Sequence, residues 1–232
     1  MNPQQPTPEL ICWAYQRGIF PMVDPGSGRV QWFSPDPRCV LPLNRLHVPR
    51  RLARTIRQGR FEITQDRDFP AVIRACAKPR MGRESTWLDE RLIETYVGLH
   101  HLGHAQSVEA WRGGRLVGGL YGVRIGAAFF AESMFCIPAD GGTDASKICL
   151  VRLAELLRSG GFRLLDVQFR TAHLARFGCI EIPRRRYLNE LALAVDGTAS
   201  WPAPSGRGGT GDPRGEKKGA GVAGTRVPPS RG

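Results

Sequence analysis

Gln106-Ser107-Val108-Glu109-Ala110-Trp111-Arg112-Gly113-Gly114-Arg115-Leu116-Val117-Gly118-Gly119-Leu120-Tyr121 alternates side chains with a period of two around an Arg-Gly-Gly reversal. That pattern is a strand, a tight turn and a second strand. The same period continues to Phe135, so the sequence predicts strands over 106–111, 115–121 and 127–135, the last two separated around Gly126. Three consecutive strands with short connections form an antiparallel meander.

Downstream, the polar loop Asp140-Gly141-Gly142-Thr143-Asp144 leads into a helix over 145–157 that stops at Gly160-Gly161. A strand over 163–168, a short helix over 173–177 and a final element over 187–195 follow. The first of these strands contains Leu165-Asp166-Val167-Gln168, two polar side chains spaced two residues apart. Alternate strand residues share a face, so Asp166 and Gln168 are expected to emerge together while Leu165 and Val167 point into the core. In the meander, Phe129-Phe130-Ala131-Glu132-Ser133-Met134-Phe135 sets one carboxylate among apolar neighbours. Glu132 therefore needs a structural partner or awaits a cationic substrate group. Taken singly, each of these polar residues reads first as a satisfied hydrogen-bond hub.

Upstream, Thr7-Pro8-Glu9 opens a helix that stops near Gly18. Residues 21–42 hold five prolines and read as extended and turn-rich, ending in a short strand at Cys39-Val40-Leu41. A basic helix is predicted over 49–58, an apolar one over 69–77 and an amphipathic one over 88–102. His100, His101 and His104 crowd the end of the last, where capping histidines are more common than a metal site.

The 232 residues, 41% hydrophobic and 23% charged, suit a globular chain with a sizeable core. No apolar run approaches the ~20 residues of a membrane span, and no secretory leader is seen, so a cytoplasmic protein is expected. Six cysteines at long irregular intervals, without a C-x-x-C pair, read as free thiols. Net charge is +12; the twenty-seven basic and nineteen acidic residues up to Asp196 leave +8 on the body, which points to a polyanionic partner. Residues 197–232, rich in Gly, Pro and Arg, are expected to be disordered.

A meander, a helix and a strand carrying a polar pair is the layout of a GNAT-type acyl-transfer domain. The coenzyme A loop of those enzymes, Q/R-x-x-G-x-G/A, is not completed here; Arg115-Leu116-Val117-Gly118-Gly119-Leu120 fails at its last position. Acetyl-CoA is therefore not the expected donor. More specific words occur in order: Ala14-Tyr15-Gln16-Arg17-Gly18-Ile19-Phe20-Pro21, Trp32-Phe33-Ser34-Pro35-Asp36-Pro37-Arg38, Gly118-Gly119-Leu120-Tyr121-Gly122-Val123, Glu132-Ser133-Met134-Phe135, Ala145-Ser146-Lys147, Asp166-Val167-Gln168 and Glu181-Ile182-Pro183-Arg184-Arg185. Over residues 8–195 the chain closely resembles the leucyl/phenylalanyl-tRNA protein transferases.

The resemblance implies an α+β fold: a small N-terminal domain over 1–60 and a GNAT-like transfer domain over 61–196. It implies transfer of leucine or phenylalanine, less readily methionine, from aminoacyl-tRNA to proteins with N-terminal Arg or Lys. That reaction tags proteins for degradation through the N-end rule, with no metal and no diffusible cofactor. Asp166, Gln168 and Glu132 would form the catalytic set. Leu120, Phe129, Ala131, Leu150, Leu153 and Leu165 would form the donor side-chain pocket, Trp87 would stack on the terminal adenosine, and Arg50, Arg51, Arg54 and Arg57 would meet tRNA phosphates. A monomer is expected. Three departures stand out: the family's usual opening Gly-Leu-Leu-Ala-x-Gly-Gly-Asp-Leu has no counterpart, Met22 replaces a common aromatic, and the tail after Asp196 has no family counterpart. Two rivals remain in view, a non-catalytic RNA-binding protein on the same fold and a cell-wall peptidyl transferase, which would need a polar donor pocket.

Overall fold

The computed structural model describes residues 6–79 and 86–203. Helix α1 (Pro8–Tyr15) precedes a hairpin of β1 (Phe20–Val23) and β2 (Val30–Phe33); β3 (Arg38–Val40), a 3-10 turn at Leu43–Arg45, α2 (Arg50–Arg57), β4 (Glu62–Gln65) and α3 (Phe69–Ala77) follow. Next come α4 (Glu90–His101), β5 (Ala105–Arg112), β6 (Arg115–Ile125), β7 (Ala128–Cys136), α5 (Ala145–Ser159), β8 (Leu164–Gln168), α6 (Ala172–Ala175), β9 (Ile180–Ile182) and α7 (Arg184–Val195).

The helix starts follow local chemistry. Thr7 Oγ1 accepts the Leu10 N–H at 3.3 Å, Asp68 Oδ1 the Ala71 N–H at 3.0 Å and Asp89 Oδ1 the Leu92 N–H at 3.1 Å, each satisfying a donor left open by the first turn. The meander forms where alternation predicts it, as β5, β6 and β7 in antiparallel register.

A mixed α/β architecture results. Seven strands form one sheet in the order β4-β5-β6-β7-β8-β3-β9, antiparallel at each junction except the parallel pair β7 and β8. Helices α1, α3, α4 and α7 bury Ile11, Phe69, Leu92 and Tyr187 on one face, while α2 and α5 bury Leu52, Leu150 and Leu153 on the other. Strand β3 is paired on both sides, to β8 and β9, so the 1–60 segment contributes an inner strand to the large sheet. Three residues gain little alone and much from two ladders.

Residues 197–203, part of the segment expected to be disordered, are held against the body. The Ser200 N–H donates to the Gly160 carbonyl at 3.0 Å, and the Trp201 ring stacks on Phe129 at 5.8 Å. Trp201 is the only aromatic residue after 196, and its burial offsets the ordering cost that an average over composition hides. Residues 204–232 of that expectation lie outside the described residues.

Gly122 shows how tightly the centre of the sheet is built. A Cβ there would overlap the Phe130 carbonyl oxygen and the Phe129 ring. Gly122→Ala should therefore destabilise the protein by about 1–3 kcal/mol through overpacking, read from urea unfolding midpoints. An unchanged midpoint would mean that Phe129 moves aside at no cost.

Candidate active site

β7 and β8 pair only from Ala128 opposite Leu164 to Phe130 opposite Asp166, and then part. Two irregularities lie where they part. On β7, Ala131 faces Gly122 and Ser133 faces Tyr121, leaving Glu132 as the extra residue of a bulge. On β8, Asp166 faces Val40 and Gln168 faces Cys39, leaving Val167 extra. Gln168 itself has φ 57°, the left-handed region that non-glycine residues seldom occupy. Between the parted strands lies a cavity of about 450 Å³ walled by Leu120, Ala131, Glu132, Met134, Leu150 and Gln168.

Leu165 and Val167 pack in one apolar cluster, as alternation predicts, but of the polar pair only Gln168 reaches the cavity. The bulge at Val167 and the left-handed backbone of Gln168 interrupt the regular strand at this point. Gln168 lines the cavity, whereas Asp166 is fully buried and does not line it. Asp166 Oδ1 accepts from Arg38 Nε at 2.9 Å and from the Gln168 backbone N–H at 2.9 Å. Its Oδ2 accepts from Arg38 Nη2 at 2.6 Å and the Tyr187 hydroxyl at 2.7 Å. Both carboxylate oxygens are thus occupied, so Asp166 holds the backbone of Gln168 and has no open lone pair for a substrate proton.

Arg38 is the partner that sequence reasoning missed. It is fully buried, donates Nη1 to the Gly18 carbonyl at 3.0 Å and sits between the rings of Phe20 and Tyr187, 4.8 and 4.7 Å away. Burying an arginine at no exposure requires a paired anion. Its place in the Pro35-Asp36-Pro37-Arg38 word was visible; its partner 128 residues away was not.

Glu132 accepts from Gln168 Nε2 at 3.2 Å, which leaves Gln168 Oε1 without a protein partner among the described residues. Burial pushes the Glu132 carboxyl up to about 8; hydrogen bonding from Tyr15 opposes this, the Asp166 charge adds to it, and Arg38 and Tyr96 oppose it. Tyr15 and Tyr96 share a hydrogen bond of 2.8 Å between their hydroxyls. Burial, and then the Asp166 charge, push the Tyr187 hydroxyl far above its ordinary value, so it acts only as a donor to Asp166.

Of the apolar residues expected in a donor pocket, Leu120, Ala131 and Leu150 line the cavity. Phe129, Leu153 and Leu165 are buried in the same apolar cluster behind its wall and do not line it. Ser133, Met134, Val167, Phe169, Thr171, His173 and Leu174 complete the lining and were not singled out as site residues from sequence. Trp87 is half-buried against the other core cluster, where its carbonyl accepts the Val23 N–H at 2.9 Å, and does not line this cavity. Arg50, Arg51, Arg54 and Arg57 are all exposed on α2, which is anchored by Leu52. None of the four is paired with a carboxylate among the described residues. His100 stacks on Phe69 at 4.4 Å with Nδ1 2.8 Å from the Ala105 carbonyl, a structural use of that residue.

Comparison with known proteins identifies the family. The model of the leucyl/phenylalanyl-tRNA protein transferase family matches residues 40–192, and that of its N-terminal domain matches residues 4–36. A leucyl/phenylalanyl-tRNA protein transferase of Nitrobacter winogradskyi is 52% identical over 198 residues, covering 85% of this chain and 86% of the relative. One from Gloeobacter violaceus is 51% identical over 189 residues, covering 82% and 94%. Among solved structures, a GNAT family acetyltransferase from Brucella melitensis superposes with a TM-score of 0.42 at 17% identity, covering 53% of this chain and 88% of that one. With both family models matched in sequence order and about half of the aligned residues identical in such relatives, the chain belongs to the leucyl/phenylalanyl-tRNA protein transferase family.

Proposed function

We propose that the protein transfers leucine or phenylalanine, and less readily methionine, from aminoacyl-tRNA to the N-terminal Arg or Lys of a protein, marking it for N-end rule degradation in the cytoplasm. The observation that carries this reading is Gln168: an amide in the wall of an apolar cavity, its backbone fixed by a buried carboxylate and its Nε2 held by Glu132. An ester donor and an amide product make the reaction downhill, so the protein's work is to align two substrates and manage a proton. Gln168 Oε1 accepts a hydrogen bond from the attacking amine and sets its approach. The nitrogen bonds to the acyl carbon, the ester C–O bond breaks, and the ribose oxygen leaves with a proton.

Leu120, Ala131 and Leu150 receive the donor side chain, and Phe129, Leu153 and Leu165 support that surface from behind. Such a wall rejects charged side chains by their desolvation cost but separates leucine from methionine by only ~1–3 kcal/mol. Trp87 serves the terminal adenosine, where stacking contributes ~1–3 kcal/mol, and Arg50, Arg51, Arg54 and Arg57 meet acceptor-stem phosphates without reading sequence. The enzyme works as a monomer without metal or cofactor. Among the described residues no helix is long and apolar enough to cross a membrane.

Transfer of radiolabelled leucine, phenylalanine and methionine from charged tRNA to a protein beginning with Arg or Lys tests the reading. Gln168→Ala is expected to lower kcat/KM by roughly 10²–10³ with tRNA binding unchanged, the scale of removing one transition-state hydrogen-bonding group. Near-normal turnover in both Gln168→Ala and Asp166→Ala would overturn the assignment. A wild-type protein that binds tRNA and transfers nothing would revive the non-catalytic RNA-binding alternative, which the relatives do not support.

A further inference from the structure

A second cavity, of about 620 Å³, opens at the far ends of α5 and β8 and is lined by Arg45, Arg158, Arg163, Arg186 and Glu190 above a floor that includes Leu41 and Phe162. Four guanidinium groups on four separate stretches of chain converge on one concavity: the 3-10 turn, the last turn of α5, the lead into β8, and α7. The one carboxylate of the wall, Glu190, is held by Arg186 at 2.8 Å. Arg45, Arg158 and Arg163 are exposed and unpaired among the described residues. Like charges drawn together at a concave site repel one another unless an anion joins them, and planar guanidinium forks match phosphate oxygens.

Position favours a nucleic-acid backbone over an acidic protein. From Leu150 in the donor cavity to Arg158 is eight residues of α5, or about 12 Å of helix. From Gln168 back to Leu165 is three residues of β8, or about 10 Å. A nucleic-acid strand with one charge per roughly 3.4 Å would place about three phosphates over that span. The chain also runs from Arg45 straight into α2, and both the 3-10 turn and α2 contact α5, so the cavity continues the basic surface already assigned to tRNA.

We propose that the Arg45, Arg158 and Arg163 cavity is a second phosphodiester site, which holds the tRNA strand leading to the transferred aminoacyl group. This rests on the aminoacyl-tRNA reading above. It differs from the α2 arginines in being a concave site beside the strand that bears Gln168.

The test compares wild type with the triple variant Arg45→Ala, Arg158→Ala, Arg163→Ala and with the corresponding triple Arg→Lys variant. Fluorescence anisotropy gives the Kd for leucyl-tRNA across a salt series, and transfer from leucyl-adenosine, which has no phosphate, reports the integrity of the reacting centre. The alanine triple is expected to bind tRNA at least about tenfold more weakly and to lose 2–3 units of the log Kd against log salt slope, at about 0.9 per phosphate. The lysine triple should keep the slope, and the alanine triple should transfer from leucyl-adenosine as wild type does.

Unchanged tRNA affinity and slope would overturn the proposal, as would an equal loss of leucyl-adenosine transfer, which would mark a disturbed fold. Loss of polyglutamate binding with tRNA affinity intact would also overturn it and assign the cavity to an acidic protein. Failure of the transferase reading is a separate result, in which wild type moves no leucine from either donor.

Discussion

Replacing Arg38 by alanine is expected to cost about 3–5 kcal/mol of folding stability and to stop transfer, because it strands a fully buried carboxylate. Arg38 and Asp166 are exposed by only 1% and 0% and are joined by bidentate contacts, so no water replaces the lost guanidinium. The cost compares with the 5–15 kcal/mol that holds a typical domain together. Tyr187→Phe should cost less, about 1–3 kcal/mol, since it removes one of the donors to Oδ2 and leaves Arg38 in place. Urea unfolding measures both. The double variant Arg38→Met, Asp166→Leu separates stability from function: it should regain most of the stability, since an apolar pair needs no desolvation, yet remain inactive because Gln168 loses its backbone anchor. An Arg38→Ala protein as stable as wild type would show that Asp166 is held in some other way.

The convergence on Asp166 explains why the family words were recognisable while their purpose was not. Tyr15, Gly18 and Phe20 from one word reach Glu132, the Arg38 guanidinium by a carbonyl and its face by a ring. Arg38 closes a second word. Another is tied down where the Arg184 N–H donates to Asp36 Oδ1 at 3.1 Å, which places Tyr187 over the ion pair. No periodicity or spacing rule connects residues 128 positions apart, so the words could be matched but not assembled.

The meander was legible because three runs of six to nine residues with a period near two, joined by glycine turns, leave one solution. The short strands β1, β2, β4 and β9 were not read as strands, since three or four residues take their conformation from the neighbours they pair with. The site failed to be legible at its two decisive positions for one reason. A bulge adds a residue without changing composition or period, so the sequence around Glu132 and Val167 reads as unbroken strand while the pairing register shifts at each.

Glu132→Gln is expected to change how stability depends on pH. In the unfolded chain this carboxyl titrates at its ordinary 4.5, and in the folded protein near 8, so between those values the folded state keeps a proton that the unfolded state has lost. The stabilising contribution is therefore fully present below about pH 4.5 and is lost as pH rises through about 8. The slope is at most about 1.4 kcal/mol per pH unit. Glutamine stays neutral throughout, so the variant lacks this slope, and its stability relative to wild type should rise by as much as about 4 kcal/mol from pH 5 to 8. Urea midpoints at four pH values decide it, and parallel curves would mean that Glu132 titrates as an ordinary carboxyl. On the proposed function, with the acceptor's cationic head group beside Glu132, the same proton bears on acceptor binding. An Arg or Lys head group beside Glu132 favours the carboxylate, so docking expels the proton, and the acceptor KM should fall as pH rises from 6 to 8. Glu132→Gln should flatten that dependence and weaken the preference for a cationic acceptor, while leaving the apolar cavity wall of Leu120, Ala131 and Leu150 unaltered.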